Sequence, residues 1–132
     1  MNLLDLHIHI FAPSEEAAEA LGLALSLPCV LYCEPNGCNG VEHAPLVLIV
    51  GWERDSAAVC AAVRAQTRAP IILIAEDASH RTVIRGLSAG ADLVLAGETD
   101  LGELRARIRA LLRRSQTPSP ADAYRLLRFS MP

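Results

Sequence analysis

Three of the four cysteines fall within a stretch of ten residues, where thiol or metal chemistry would find its ligands close together. Four residues separate Cys33 from Cys38 and four more precede His43, a spacing loosely compatible with a redox or metal site but unlike a recognised zinc motif. Cys29 and Cys33 share the parity of an extended strand, which favours ordinary burial on one face of a sheet. We therefore predict packed cysteines and no metal, with a redox role for Cys33 and Cys38 as the alternative.

Two histidines, His7 and His9, lie two residues apart in an apolar segment near the start of the chain. If this segment is a strand, both rings project from one face and could share a metal ion or a proton-linked hydrogen bond. An unpaired buried charge is costly, so we predict neutral, hydrogen-bonded rings packed beneath a helix. The alternative is a sensor of pH or of a ligand.

Five short apolar segments alternate with stretches that have the periodicity of amphipathic helices. The predicted strands are Leu6–Phe11, Cys29–Cys33, Leu46–Val50, Ile71–Ala75 and Leu93–Ala96. The predicted helices are Ser14–Leu25, Asp55–Thr67, His80–Ala89 and Leu101–Arg114. The third helix groups Val83, Ile84 and Leu87 on one apolar face, and the last buries Leu104 and Ile108 while turning Arg105 outward.

The alternation of strands and helices predicts an α/β domain with a parallel sheet covered on both faces, a flavodoxin-like (βα)5 fold. Residues 34–43 are rich in turn formers, so the second helix is expected to be short or missing. After Arg114 the composition becomes that of a linker and then regains apolar residues. We predict a domain over residues 1–115, with residues 116–132 forming a linker and the start of a following segment or output domain.

Composition limits the kind of partner that this domain can have. The 132 residues are 52% hydrophobic, enough for one core, and no apolar run approaches the roughly 20 residues that span a bilayer. The N-terminus lacks a basic leader, so we predict a cytoplasmic protein without membrane contact. The net charge is −3 and lysine is absent, which argues against this domain binding DNA by itself; the arginines between residues 105 and 114 are expected to form a solvated helix face.

Three segments in the second half of the chain match a known pattern. Pro70–Ile74 resembles a fourth strand, Gly86–Asp92 resembles a GLxxGAD segment, and Glu103–Arg114 resembles a last helix of one family. That family is the receiver domain of two-component response regulators (CheY-like), and the segments are most similar to its winged-helix (OmpR/PhoB-type) branch. The resemblance covers residues 4–114, and it implies a strand order of 2-1-3-4-5 and a regulatory role without enzymatic activity.

A working receiver needs acidic side chains for Mg²⁺, an aspartate that accepts the phosphoryl group, a hydroxyl that follows the new charge, and a lysine. The resemblance implies that these positions hold apolar residues or glycine. The acidic pair falls on Phe11 and Ala12, the acceptor on Val50 or Gly51, the hydroxyl on Ala75, the aromatic switch on Val94 and the cation on Gly97. We predict a degenerate phosphorylation pocket that holds no cofactor.

Trp52 follows the third predicted strand directly and is expected to flank this pocket. Its ring could stack on a small planar ligand, although filling the vacated space is favoured. Four acidic residues near strand ends would be brought closer by a shifted alignment: Glu53, Asp55, Glu76 and Asp77. A shift would still leave the pocket without a lysine, because the sequence contains none.

The resemblance also implies a symmetric dimer face, formed in the family by the fourth helix, the fifth strand and the fifth helix. The residues predicted on it are Arg85, Leu87, Asp92, Leu93, Glu98, Asp100 and Arg107. Leu93 stands where the family has a second acidic residue, which leaves more weight on apolar contacts, since surface ion pairs are each worth about 0–1 kcal/mol.

These observations predict a phosphorylation-independent receiver of a transcriptional response regulator, present as a homodimer. DNA would be bound only through a C-terminal output domain. The alternatives are a small-molecule or redox sensor that uses the vacated pocket or the cysteines, and a free-standing protein-interaction module.

Overall fold

The computed structural model describes residues 7–51, 56–76, 79–97 and 99–116 of the chain. Its five strands are all parallel and follow the order β2-β1-β3-β4-β5 across the sheet. They are β1 (Ile8–Phe11), β2 (Cys29–Tyr32), β3 (Val47–Val50), β4 (Ile71–Ala75) and β5 (Leu93–Ala96). The flavodoxin-like fold and the strand order are confirmed.

Helices alternate with these strands along the chain: α1 (Glu15–Leu25), α2 (Ser56–Arg64), α3 (His80–Ser88) and α4 (Leu101–Gln116). The Ser14 hydroxyl accepts a hydrogen bond from the Ala17 amide at 3.2 Å and so caps the start of α1. Ser79 caps α3 in the same way, through the Thr82 amide at 3.3 Å. Within the described ranges, every helix is too short or too polar to cross a membrane.

The connection from β2 to β3 contains only a 3-10 turn, Val41–His43, where the family pattern has a helix. Gln66, which follows α2, holds the loop before this turn. Its side-chain NH₂ donates to the Pro35 carbonyl at 2.6 Å, and its oxygen accepts from the Cys38 amide at 3.0 Å. These bonds satisfy two backbone groups of a loop that belongs to neither a strand nor a helix.

Two apolar layers enclose the sheet, because successive residues of each strand point to opposite faces. The layer on the α2 side includes Phe11, Val47, Ile49, Val59, Val63, Ile71 and Leu73. The layer on the α1 and α4 side includes Ile10, Ala18, Leu48, Ile72, Leu104 and Ile108. Apart from His9 in β1, the central strands β1, β3 and β4 are therefore apolar on both faces, as is typical of a doubly covered parallel sheet.

Helix α3 departs from the predicted pattern. Ile84 was grouped with Val83 and Leu87 on one apolar face, but 49% of Ile84 is exposed, as is 46% of Leu87, which was also predicted on the dimer face. Gly86 is buried in their place, and a Cβ added to it would lie 2.8 Å from Cγ2 of Val94. Because α3 packs against β5 through Gly86, the side chains of Ile84 and Leu87 lie on the solvent-exposed side of the helix.

Helix α4 follows its predicted pattern in the core but not at one arginine. Leu104 and Ile108 are 5% and 1% exposed and enter the layer beside α1. The guanidinium of Arg105, expected in solvent, donates instead to the Ala24 carbonyl in the last turn of α1, at 2.6 Å. A cation at this helix end complements the helix dipole and joins α4 to α1.

Candidate functional site at the carboxyl edge of the sheet

The carboxyl ends of parallel strands meet at one edge, and this is where open α/β sheets bind their ligands. The register pairs Val50 with Ile74 and Ala75 with Ala96 across the last three strands. Phe11 ends β1 at the same edge. The structure therefore brings together the predicted pocket positions at the ends of β1, β3 and β4.

Hydrocarbon fills the positions that the family pattern reserves for the acidic pair. Phe11 and Ala12 are both fully buried, and the Phe11 ring stacks on Tyr32 with a centroid distance of 4.5 Å. Mg²⁺ requires oxygen ligands, which these side chains do not offer, so the residues present do not fit that ion. Among the described residues, no group of three His, Cys, Asp or Glu side chains is placed to hold a metal.

The two candidate acceptor positions, Val50 and Gly51, also lack reactive side chains. The Gly51 amide donates to the Ile74 carbonyl at 2.6 Å, so the two backbones approach closely here. A Cβ at Gly51 would lie 2.8 Å from the same oxygen and 3.2 Å from Oγ of Ser56. An aspartate at this position would therefore require the backbone to move.

The remaining pocket positions are small or apolar. Ala75 is 4% exposed, and Val94 is half-buried against Gly86 and the layer beneath it. The Gly97 amide donates to the Ala75 carbonyl at 2.7 Å, and a Cβ at Gly97 would lie at an ordinary 3.5 Å from that oxygen. Gly97, unlike Gly51, thus has room for a side chain.

Several residues predicted near this edge lie outside the described residues. These are Trp52, Glu53, Asp55 and Asp77, so the placement of the Trp52 ring against the pocket stays a prediction. Glu76 is described, follows β4 directly and is exposed.

An apolar cavity of about 300 Å³ opens beside this edge, between α1, the sheet and α4. Its walls include Ala17 and Leu21 of α1, Val50, Ile74 and Leu95 of the strands, and Leu101 of α4. Among the described residues that line it, Thr99 carries the only hydroxyl and none is charged. We refer to this space as the α1–α4 cavity.

Tyr32 forms a part-buried polar contact on the α2 side of the sheet. His9 is fully buried, its Nδ1 lies 2.9 Å from the Tyr32 hydroxyl, and the two rings stack. Burial raises the pKa of Tyr32, and the nearby Cys38 and Glu42 raise it further. His9 is thus the packed, hydrogen-bonded residue that the sequence predicted, whereas His7 precedes β1 and is half-buried.

Cys33 and Cys38, the pair of the redox alternative, are both free thiols in this structure. Cys33 was expected to be buried with Cys29, but this is wrong, because Cys33 lies beyond the end of β2 and is exposed. The Cys38 thiol donates to the Glu34 carbonyl at 3.1 Å, and burial, followed by the charge of Glu34, raises the pKa of Cys38. A raised pKa keeps the thiol protonated, whereas reactive cysteines have a lowered pKa.

Asp92, predicted on the dimer face, has partners within its own subunit. Its Oδ2 accepts from the Ile71 amide at 2.8 Å and from the Arg64 guanidinium at 2.9 Å. Arg64 also donates through Nε to the Gly90 carbonyl at 3.0 Å. These four residues, which we call the amino-edge network, join the end of α2 to the starts of β4 and β5.

Some of the other predicted dimer-face residues are exposed, and others pack or form hydrogen bonds within the subunit. Arg85 and Leu87 are exposed on α3, and Arg107 on α4 lies 3.6 Å from Glu103 in an exposed ion pair. Leu93 is half-buried against the layer beside α4.

Asp100 and Glu98 complete this set. The Asp100 carboxylate accepts from the Gly102 amide at 3.1 Å and so caps the start of α4. Glu98 lies outside the described residues.

The sequence did not predict that Ile84 is a surface residue. It lies one turn from Leu87, and together they form the exposed apolar part of α3. The available signal was Gly86, because a glycine inside a helical pattern often marks close packing of the backbone. The contacts of Tyr32 and Asp92 had no comparable signal, since both depend on residues distant in the sequence.

No protein-family model matches the sequence. Among curated proteins, the transcriptional regulatory protein CseB of Streptomyces avermitilis is 38% identical over 116 residues, which cover 82% of this chain and 49% of CseB. Response regulator ArlR of Staphylococcus epidermidis is 41% identical over 64 residues, or 48% of this chain and 29% of ArlR. The chain therefore spans about half the length, or less, of the curated relatives it matches.

Solved structures give the same picture for the fold. The BeF3-activated N-terminal receiver domain of RstA from Klebsiella pneumoniae superposes with a TM-score of 0.66 at 26% sequence identity. The match covers 82% of this chain and 100% of that domain.

Proposed function

Because the chain belongs to the receiver (CheY-like) domains of response regulators, with its relatives in the OmpR-like branch, we propose that it regulates transcription without being phosphorylated. The names of its relatives describe regulators, and we propose that this chain is likewise a regulator and not an enzyme. The domain would occupy residues 1–115 of a cytoplasmic protein. Residues 116–132 would lead into a C-terminal output domain that binds DNA.

The apolar carboxyl edge is the observation that carries this proposal. Phosphoryl transfer to a receiver needs a bound Mg²⁺ and a carboxylate nucleophile at this edge. The strands end here in Phe11, Val50 and Ala75, and Gly51 has no space for a Cβ. A charged side chain without partners among these groups would be strongly disfavoured, so the edge is suited to packing and not to phosphorylation.

We propose that the domain forms a permanent dimer through the α3–β5–α4 face, so that dimerisation does not require phosphorylation. Ile84 and Leu87 supply an exposed apolar patch on α3, and Arg85 lies between them in sequence. Arg107 on α4 supplies a second exposed cation. Exposed apolar residues that are rimmed by charge are typical of protein interfaces.

The proposed interface depends more on apolar contacts than on ion pairs. Asp92 is held by the amino-edge network and Asp100 caps α4, so both carboxylates already have hydrogen-bond donors within the subunit. Exposed ion pairs contribute only about 0–1 kcal/mol each. Ile84 and Leu87 are therefore the residues on which dimerisation is expected to depend.

One experiment tests both parts of the proposal. The domain is incubated with Mg²⁺ and a small phosphoryl donor such as acetyl phosphate, and then examined by intact-mass spectrometry and sedimentation. We expect no added phosphoryl group and the same dimer with and without donor. Stoichiometric phosphorylation, or a dimer that forms only after donor and Mg²⁺ are added, would overturn it.

Matched variants locate the dimer face. Leu87→Asp should weaken the dimer at least about tenfold, equivalent to about 1.4 kcal/mol, because it places a charge in the apolar patch. Leu23→Asp is the control, since Leu23 is 81% exposed on α1, on the opposite side of the sheet from α3. Equal dissociation of the two variants, or of neither, would contradict the assignment of this face.

A sensor of small molecules is the second candidate function, and the α1–α4 cavity favours it. The redox form of that alternative has less support, because the pKa of Cys38 is raised and Cys33 stands without a second cysteine at bonding distance among the described residues. The ligand form is developed below.

A further inference from the structure

We propose that the α1–α4 cavity binds a compact, uncharged and mainly apolar small molecule. The cavity lies on the α1 and α4 side of the carboxyl edge, whereas the phosphorylation chemistry of receivers takes place at the strand ends themselves. Binding does not depend on the proposed function; only its consequence for regulation does.

A gradient of exposure along the strands shows that the helices leave this end of the sheet uncovered. Leu48 and Ile72 are fully buried beneath α1 and α4. Val50 and Ile74, two residues further along the same strands and on the same face, are only half-buried. The apolar surface of the sheet thus continues past the point where helix side chains cover it.

Small residues create the opening. Helix α1 presents Ala17 to this part of the sheet, where a larger side chain would reach the strands, and Gly97 leaves the turn after β5 without a side chain. Leu21 and Leu101 form the two helix walls on either side. The resulting space is bounded by helices and strands and not by a loop alone.

The lining specifies the class of ligand. A carboxylate or an ammonium group would lose its hydration without finding an opposite charge, because none of the described residues that line the cavity is charged, so a charged ligand is disfavoured. A cavity of about 150 Å³ holds a benzene ring, and the volume here of about 300 Å³ suits one or two fused rings or a short branched chain. Thr99 offers one hydroxyl that can pair with a single polar group of the ligand.

The ligand would also touch the start of α4. Leu101 and Leu104 belong to the first turns of this helix, and Arg107 of the proposed dimer face lies one turn further on. A molecule bound between them would stabilise the position of α4 relative to the sheet. The cavity is therefore placed to connect a ligand to the dimer face.

The test uses 1-naphthol as the probe and 1-naphthoate as a charged molecule of similar size. Calorimetric titration of the domain should show saturable binding of 1-naphthol, and at least about tenfold weaker binding of the naphthoate. No binding of 1-naphthol up to about 1 mM, or equal binding of both compounds, would overturn the proposal. Titration measures binding whatever the oligomeric or phosphorylation state, so its failure is distinct from failure of the proposed function.

Matched variants place the probe in the cavity. Ala17→Leu fills the space and should weaken 1-naphthol binding at least about tenfold, while Ala20→Leu, on the exposed side of the same helix, should leave it unchanged. Methyl NMR of the unmodified domain gives a second measurement that does not depend on how the variants fold. Shifts should concentrate on Ile74, Leu95 and Leu101, and shifts concentrated on Ile84 and Leu87 would contradict the site.

Discussion

At the amino edge of the sheet, Arg64 and Asp92 bind the Gly90 carbonyl and the Ile71 amide and join α2 to two strands, whereas at the carboxyl edge the strands end in Phe11, Val50 and Ala75. The first edge uses charge to hold elements together. At the second edge, where α/β sheets place their ligand chemistry, the last residues of these strands are apolar.

The two edges illustrate two roles of acidic side chains, which can stabilise a fold or bind a metal ion for chemistry. The amino-edge carboxylate is satisfied by an amide and a guanidinium and stabilises the fold directly. Acidic residues clustered at the other edge would repel one another and would need a metal ion to be satisfied. Apolar residues at the strand ends avoid this repulsion without a metal ion, while the amino-edge network is satisfied within the protein.

The largest effect is expected from Gly51→Ala at the carboxyl edge. The added Cβ would meet the Ile74 carbonyl at 2.8 Å, so the free energy of unfolding should fall by about 3 kcal/mol in urea denaturation. Gly97→Ala is the matched control, because its Cβ would lie 3.5 Å from the nearest oxygen, and it should change stability by less than about 1 kcal/mol. Equal stability of the two variants would show that the edge is not closed by backbone contact.

An intermediate effect is expected from Asp92→Asn at the amino edge. The change removes the ion pair with Arg64 and weakens the bond to the Ile71 amide, which should cost about 1–2 kcal/mol of unfolding free energy. Glu103→Gln removes the exposed ion pair with Arg107 and should cost less than about 0.5 kcal/mol. If both changes have the same small effect, the amino-edge network is no more important than a surface ion pair.

The smallest effect concerns pH and the groups beside the carboxyl edge. The pKa values of Cys38 and Tyr32 are raised above the ordinary 9.0 and 10.0, mainly by burial, so folding favours their protonated forms. Their contribution to the free energy of unfolding is complete below the ordinary pKa values. It is lost as the pH rises through the higher pKa values of the folded protein. Urea midpoints should therefore decline above about pH 9.

Tyr32→Phe is the variant that isolates the tyrosine part of this decline. It should flatten the upper part of the pH profile, although loss of the contact with His9 lowers stability at every pH. An unchanged profile would mean that Tyr32 ionises as freely in the folded protein as in the unfolded chain.

The sheet and its helices could be predicted because they depend on local patterns. Apolar runs and helix caps such as Ser14 fixed the strands and helices to within a few residues. The flank of α3 could not be predicted in the same way, since Ile84 has the spacing of a core residue and is exposed only because Gly86 packs against Val94.

The sequence predicted which residues lie at the carboxyl edge but not how the neighbouring cavity and hydrogen bonds are arranged. Alignment to the family pattern indicated the apolar residues of the edge, but the α1–α4 cavity depends on how closely two helices approach the sheet. The partners of Asp92 depend on contacts between residues more than twenty positions apart in the sequence. Periodicity and spacing carry no information about either.

The apolar carboxyl edge makes the proposed loss of phosphorylation an evolutionary one-way step. Restoring the predicted pocket needs oxygen ligands at Phe11 and Ala12, a carboxylate at Val50 or Gly51 and a cation at Gly97. Any one of the acidic changes made alone would bury a charge before its partners exist, so each first mutation lowers stability without returning function. Selection can then improve this domain as a packed scaffold more readily than it can return it to a phosphorylated switch.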